Sequence, residues 1–90
     1  MVTAFVLVNV ERSRLKQVVD SILAVNGVTE VYTVAGEYDL VAVVRVKDNK
    51  KLSKIVVDQM PHNIPGITHT KTLYAFEAHS SVDLEKVFGI

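Results

Sequence analysis

The stretch Val34-Ala35-Gly36-Glu37-Tyr38-Asp39-Leu40 sets the strongest limit on how this chain can fold. Valine-rich runs flank it, Val28–Val34 before and Leu40–Lys47 after. A glycine between two such runs predicts a tight hairpin, because Gly36 can take the positive backbone angle that a short reversal needs. The hairpin lies at the centre of a duplicated order of strand, helix and strand.

The first half of that order begins at Val2–Val10. Here Val2, Ala4, Val6, Val8 and Val10 alternate with Thr3, Phe5, Leu7 and Asn9, which is strand periodicity with both faces largely apolar. The period then changes. Leu15, Val18, Val19, Ile22 and Leu23 fit the spacing of an amphipathic helix over about residues 12–25, with Arg12, Arg14, Lys16 and Asp20 on its wet side and Gly27 as the stop. After the hairpin, Asp48 or Asn49 can cap a second helix whose buried stripe is Leu52, Ile55, Val56 and Met60. Pro61 and the cluster Asn63-Ile64-Pro65-Gly66 are expected to end it. Ile67–Ala78 reads as a long last strand, and Ser80 or Ser81 as the start of a tail helix bearing Val82, Leu84, Val87 and Phe88.

The segments Val25-Asn26-Gly27-Val28-Thr29 and Ile64-Pro65-Gly66-Ile67-Thr68 hold equivalent places after the two helices. One domain over residues 1–90 follows, an α+β fold of the ferredoxin-like βαββαβ kind with a short C-terminal helix. In this arrangement both helices cover one face of a four-stranded antiparallel sheet. The other face is left bare although its strands are apolar there, and a bare face of that size exceeds what soluble monomers usually carry. A second copy packed sheet to sheet would cover it, so a dimeric αβ-sandwich is expected.

Composition narrows the function classes. Ten basic and ten acidic residues cancel, the pI is about 6.8, and no basic cluster is evident along the chain. Direct nucleic-acid binding is disfavoured, since phosphate contacts dominate that affinity. Cysteine is absent, which removes disulfides, thiolate metal sites and a cysteine nucleophile. The apolar start has no basic residues before it and is too short to span a membrane. The expectation is therefore a cytoplasmic protein without a membrane partner.

Few residues carry chemistry. His62, His69 and His79 match no short ligand motif, so no metal is expected. No serine–histidine–acid set, phosphate-binding glycine loop or dinucleotide fingerprint is present, and no cofactor is called for. Glu37 and Asp39, with Tyr38, are the candidates for acid–base work or for a binding site at the hairpin. The plainer alternative is a polar hairpin in which Asp39 bonds the turn backbone. Thr68, Thr70 and Thr72 alternate with His69 and Lys71 and so are expected on one face of the last strand. Together with Asp39, such hydroxyls could hold a small zwitterion, the carboxylate taking the ammonium group and backbone donors and hydroxyls taking the carboxyl group.

The segment Ala35-Gly36-Glu37-Tyr38-Asp39-Leu40, with the strand Val41–Val46, Ile64-Pro65-Gly66-Ile67 and Thr70-Lys71-Thr72, resembles the effector (RAM) domain of the Lrp/AsnC transcriptional regulators. The resemblance spans about residues 2–79. Full-length members of that family carry a helix-turn-helix domain before this one. Here the first strand comes at once, so the resemblance implies a stand-alone effector domain. It also implies dimers that assemble into tetramers, octamers or larger rings, with an amino-acid effector held between dimers. Carried over by motif, the effector-binding residues would be Gly36, Glu37, Tyr38 and Asp39, with Thr70 and Thr72.

The resemblance thus implies a non-enzymatic sensing and oligomerisation module. It would act through full-length family regulators or through another protein such as a metabolic enzyme. Two alternatives from other classes stay open. One is a small ferredoxin-like dimeric enzyme, such as a cofactor-free monooxygenase or isomerase. The other is an assembly module without a ligand.

Overall fold

The structure is a computed structural model that describes residues 1–83 and residue 86. Strand β1 spans Val2–Val10, and its alternation behaves as the sequence implies. Ala4, Val6, Val8 and Val10 are buried, while Thr3, Phe5, Leu7 and Asn9 on the other side are half-buried. A 3-10 turn over Arg12–Arg14 leads into helix α1, Leu15–Leu23. Strands β2, Val28–Thr33, and β3, Leu40–Val46, form the hairpin. The second helical segment has three parts: α2 over Asn49–Ser53, a π-helical stretch over Lys54–Gln59, and α3 over Met60–Asn63. Strand β4 covers Ile67–Ala75.

The strands lie in the order β2-β3-β1-β4, and every neighbouring pair is antiparallel. Val18 and Ile22 of α1 join Leu52, Ile55 and Met60 against Ala4, Val6, Val8, Leu40, Ala42 and Val44 in one continuous core. Both helical layers therefore cover the same face, giving the ferredoxin-like sandwich. Each fully buried aliphatic side chain in this layer contributes about 1.5–3 kcal/mol relative to leaving it in water. The other face of the sheet carries Phe5, Leu7, Val41 and Leu73, and no element of the described chain packs over them.

Several boundaries differ from the expectation, each for a local reason. The predicted helix 12–25 opens as a 3-10 turn and is α-helical only from Leu15 to Leu23. Leu23, placed in the buried stripe, is 47% exposed. A turn of about 100° per residue carries it about 120° from the centre of the stripe set by Val18 and Ile22. The last strand stops at Ala75 rather than Ala78, because its ladder with β1 ends at the pair Thr3–Ala75.

Pro61 does not end the second helical segment, which runs on to Asn63. A proline lacks the N–H that an α-helical ladder requires, and the wider π stretch directly before it relaxes that ladder. At the start of this segment Asp48, not Asn49, is the cap, its Oδ1 accepting from the Lys51 N–H at 2.9 Å. Of the expected tail helix, Leu84, Val87 and Phe88 lie outside the described residues. Before them, the Ser80 Oγ accepts from the Val82 N–H at 3.1 Å.

The internal repeat has a physical counterpart in Gly27 and Gly66. A Cβ on Gly27 would lie 2.7 Å from Val46 Cγ1 and 2.9 Å from Ile55 Cδ1, and one on Gly66 would lie 2.9 Å from Val18 Cγ2. Each glycine thus lets a strand start pass directly against a helix of the core. Their carbonyls play matching parts, accepting from Arg45 N–H at 2.8 Å and from Glu11 N–H at 2.9 Å respectively.

Candidate functional site

The hairpin loop is built around Asp39. The Val34 N–H donates to the Asp39 carbonyl at 2.9 Å and closes the loop, and the Asp39 N–H donates to the Val8 carbonyl at 3.0 Å. The side chain then reaches the end of β1, where Asp39 Oδ2 accepts from the Val10 N–H at 3.0 Å. The polar-hairpin expectation is corrected in this detail: the carboxylate holds the neighbouring strand, not its own turn. Gly36 has φ of +143°, a backbone state that favours glycine, and nothing among the described residues crowds the place where a Cβ would be.

Beside Asp39 lies a hollow of about 340 Å³, lined by Val10, Arg12, Leu15, Thr33, Val34 and Asp39. Its parts come from four elements: the end of β1, the 3-10 turn, the first turn of α1 and the hairpin. Val10, Leu15 and Val34 make an apolar lining, while Asp39 and Arg12 bring one charge of each sign and Thr33 a hydroxyl. A carboxylate and a guanidinium on one small hollow can receive the ammonium and the carboxyl of one zwitterion.

The structure does not gather all the residues singled out by sequence. Asp39 lines this hollow. Glu37 is exposed and does not line it, so it makes no acid pair with Asp39 there. Tyr38 stacks on His69, with ring centroids 6.3 Å apart. His69 pairs with Asn9 and shares the face of the sheet away from the helices. Thr70 and Thr72 pair with Val8 and Val6 and so face the helix side, on the edge strand, apart from the residues that line the hollow. The register shifts between Asn9 and Val10, and Thr68 falls at that shift without a partner in the ladder. Of the expected row of three hydroxyls, the ladder places Thr70 and Thr72 on one face.

Arg12 and Thr33 are the residues that sequence reasoning missed. Arg12 reads as a wet helix position, and only the path of the chain from β1 into α1 brings it to the hairpin. At the opposite end of β3 a second hollow, of about 360 Å³, is lined by Asn26, Gly27, Arg45, Val46, Lys47, Lys51, Lys54, Ile55 and Gln59. This corrects the view that no basic cluster exists. The spacing Lys51, Lys54 was a readable signal, since residues three apart share one side of a helix, and Lys47 lies just before that helix.

A polar group also lies on the bare face of the sheet. Arg45 Nη1 donates to Thr29 Oγ1 at 2.6 Å and to Glu30 Oε1 at 2.8 Å, and the Tyr32 hydroxyl donates to Glu30 Oε2. The Tyr32 hydrogen bond, then that of Arg45, holds the Glu30 carboxyl below its ordinary range, and the same contact with Glu30 raises the Tyr32 phenol. Among the described residues no three histidine, aspartate or glutamate side chains gather as a metal site, and the side chain of His62 lies outside those described. No helix of the described residues is long and apolar enough to cross a membrane.

Comparison with known proteins adds a family to this geometry. Residues 3–82 match the family model of the Lrp/AsnC ligand binding domain. The HTH-type transcriptional regulator PYRAB16920 of Pyrococcus abyssi is 33% identical over 78 residues, which is 83% of this chain and 51% of that protein. The chain spans about half the length of the curated relatives it matches. By contrast, the crystal structure of TTHA0845 from Thermus thermophilus is covered over 99% of its length by 89% of this chain, at 41% identity and a TM-score of 0.80. The complex of the Neisseria meningitidis transcriptional regulator NMB0573 with L-Met shares the fold, with a TM-score of 0.73 at 16% identity over 96% of this chain and 58% of that one.

Proposed function

The chain belongs to the Lrp/AsnC ligand-binding-domain family, and from that premise we propose that it is an amino-acid-sensing and assembly module without catalytic activity. The observation that carries the proposal is the pairing of Asp39 with Arg12 on one hollow of about 340 Å³. Asp39 takes the ammonium group of the amino acid, Arg12 its carboxyl group, and Val10, Leu15 and Val34 receive the apolar part of its side chain. That volume lies at the small end of the ligand-pocket range, about 300–1,000 Å³, which suits a ligand of amino-acid size. The L-Met held by the distant regulator NMB0573 supports the class of ligand.

The bare face of the sheet supports the assembly half of the proposal. Phe5, Leu7, Val41 and Leu73 form an apolar surface that a second copy would cover, burying the Arg45–Glu30–Tyr32 group at its edge. An amino acid bound at contacts between such dimers favours one assembly state by its difference in affinity for the two states. Gly36, Glu37 and Tyr38 lie at the loop tip, where a neighbouring dimer would meet them, and Thr70 and Thr72 present hydroxyls on the edge strand. The assembly state passes on through protein contacts, to helix-turn-helix regulators of the same family or to a metabolic enzyme.

Thermal denaturation of the purified chain against each of the twenty amino acids tests this reading. An amino acid at 100 times its dissociation constant adds about 2.7 kcal/mol to the folded state. A rise for one or a few amino acids, lost in Asp39→Asn, is the expected result. No response to any of the twenty would leave an assembly module without a ligand.

A further inference from the structure

The hollow at the far end of β3 has a chemistry unlike that at Asp39. We propose that it binds a small polyphosphate-bearing metabolite. Lys47, Lys51 and Lys54 converge on it, and among the described residues none of the three has a carboxylate within ion-pair range. Among the described residues no carboxylate lines it either. Two nearby acids make other contacts: Glu30 with Arg45 and Tyr32, and Asp48 with the Lys51 main-chain N–H.

The concentration of charge is not a by-product of a basic chain, because the whole sequence carries a formal net charge of zero. Three like charges placed around one concavity repel each other when it is empty, and a bound polyanion relieves that repulsion. Asn26 and Gln59 add amide donors at the rim, suited to phosphate oxygens or to a sugar. The wall is fixed by packing. Gly27 approaches Val46 and Ile55 so closely that a Cβ would lie 2.7 Å and 2.9 Å from them.

Lysine ammonium groups act as mobile point charges and suit phosphate groups that lack one fixed orientation. A nucleic acid instead requires cations spread as a stripe along its backbone, and here they face one hollow of about 360 Å³. That size selects a small ligand.

Isothermal titration calorimetry with inorganic pyrophosphate tests the proposal on the full chain, in parallel with the variant Lys51→Gln/Lys54→Gln. Saturable binding of one pyrophosphate per subunit is expected, weakened by added salt. In the double variant the affinity falls about a hundredfold through the loss of two charge-assisted contacts. Both lysines are exposed and repel each other in the empty hollow, so the melting temperature of the unliganded variant is no lower than that of the parent and the loss is attributable to the site. Heat no greater than that of chloride at equal ionic strength would overturn the proposal, as would undiminished binding in the variant. A short DNA duplex that binds more tightly than pyrophosphate, and is lost in the same variant, would overturn it in favour of a nucleic-acid surface.

Discussion

Asp39 and Val10 are 29 positions apart in sequence, yet the Asp39 carboxylate accepts the Val10 N–H at 3.0 Å. The bond fastens the hairpin loop to the end of β1, and it fixes the one acidic side chain of the hollow that Arg12 also lines. A structural role and the proposed binding role thus meet in a single residue, so substitutions at Asp39 must be chosen to separate them.

Asp39→Asn keeps an oxygen acceptor for Val10 and removes the charge. It should leave stability close to that of the parent and abolish amino-acid-dependent stabilisation. Asp39→Ala removes the acceptor as well, and an unpaired backbone donor in this partly buried place costs about 1–3 kcal/mol. Urea unfolding of the two variants checks the split. Equal stabilities would show that the bond to Val10 contributes nothing.

Arg12 is exposed and stands on the short turn before α1, so Arg12→Gln should change stability by no more than about 0.5 kcal/mol. Its effect on the amino acid should be large, about tenfold or more in affinity, because a charge-assisted contact to the carboxyl group is lost. Calorimetric titration measures both the loss and the remaining stoichiometry. Unaltered affinity would remove Arg12 from the site.

Glu30 gives a pH signature. Its hydrogen bonds from Tyr32 and Arg45 lower its folded-state value. The stability it contributes is therefore present above the ordinary carboxylate range and is lost as the pH falls through the lowered value. In urea unfolding, Glu30→Gln should be less stable than the parent near neutrality, and the gap should close in strong acid. A gap that stays constant from neutrality to acid would show that the charge of Glu30 plays no part.

Leu7 lies at the centre of the bare sheet face, on β1 between β3 and β4. If a second copy covers this face, Leu7→Lys places a charge in a dry interface and should yield monomers in sedimentation velocity, with the fold retained by circular dichroism. A dimer that survives the substitution would place the interface elsewhere.

Much of this architecture was readable because its signals are local. Alternation along Val2–Val10 and the helical spacing from Leu15 to Ile22 follow from backbone geometry, which repeats about every two residues in a strand and about every 3.6 in a helix. The alternation of β1 and the α1 stripe of Leu15, Val18, Val19 and Ile22, though not Leu23, were therefore assigned correctly, and so was the glycine turn, whose Gly36 does adopt a positive φ.

The family resemblance was legible too, since it rests on short motifs in a fixed order. Where the sequence misled, a neighbour was at work. Pro61 was absorbed by a π stretch, β4 ended with its ladder to β1 at Ala75, and a register shift left Thr68 without a partner in that ladder.

The candidate site belongs to the second category. Tyr38 and Asp39 are adjacent in sequence, but one stacks on His69 and the other turns to Val10. No periodicity pairs Asp39 with Arg12, because the whole of α1 and β2 separates them along the chain. Neighbours along the backbone dictate the elements, their faces and the order in which they occur, so these can be read from the residues one after another. Which charges share a hollow depends on where the crossovers return the chain, and that is fixed only when the helices pack on the sheet.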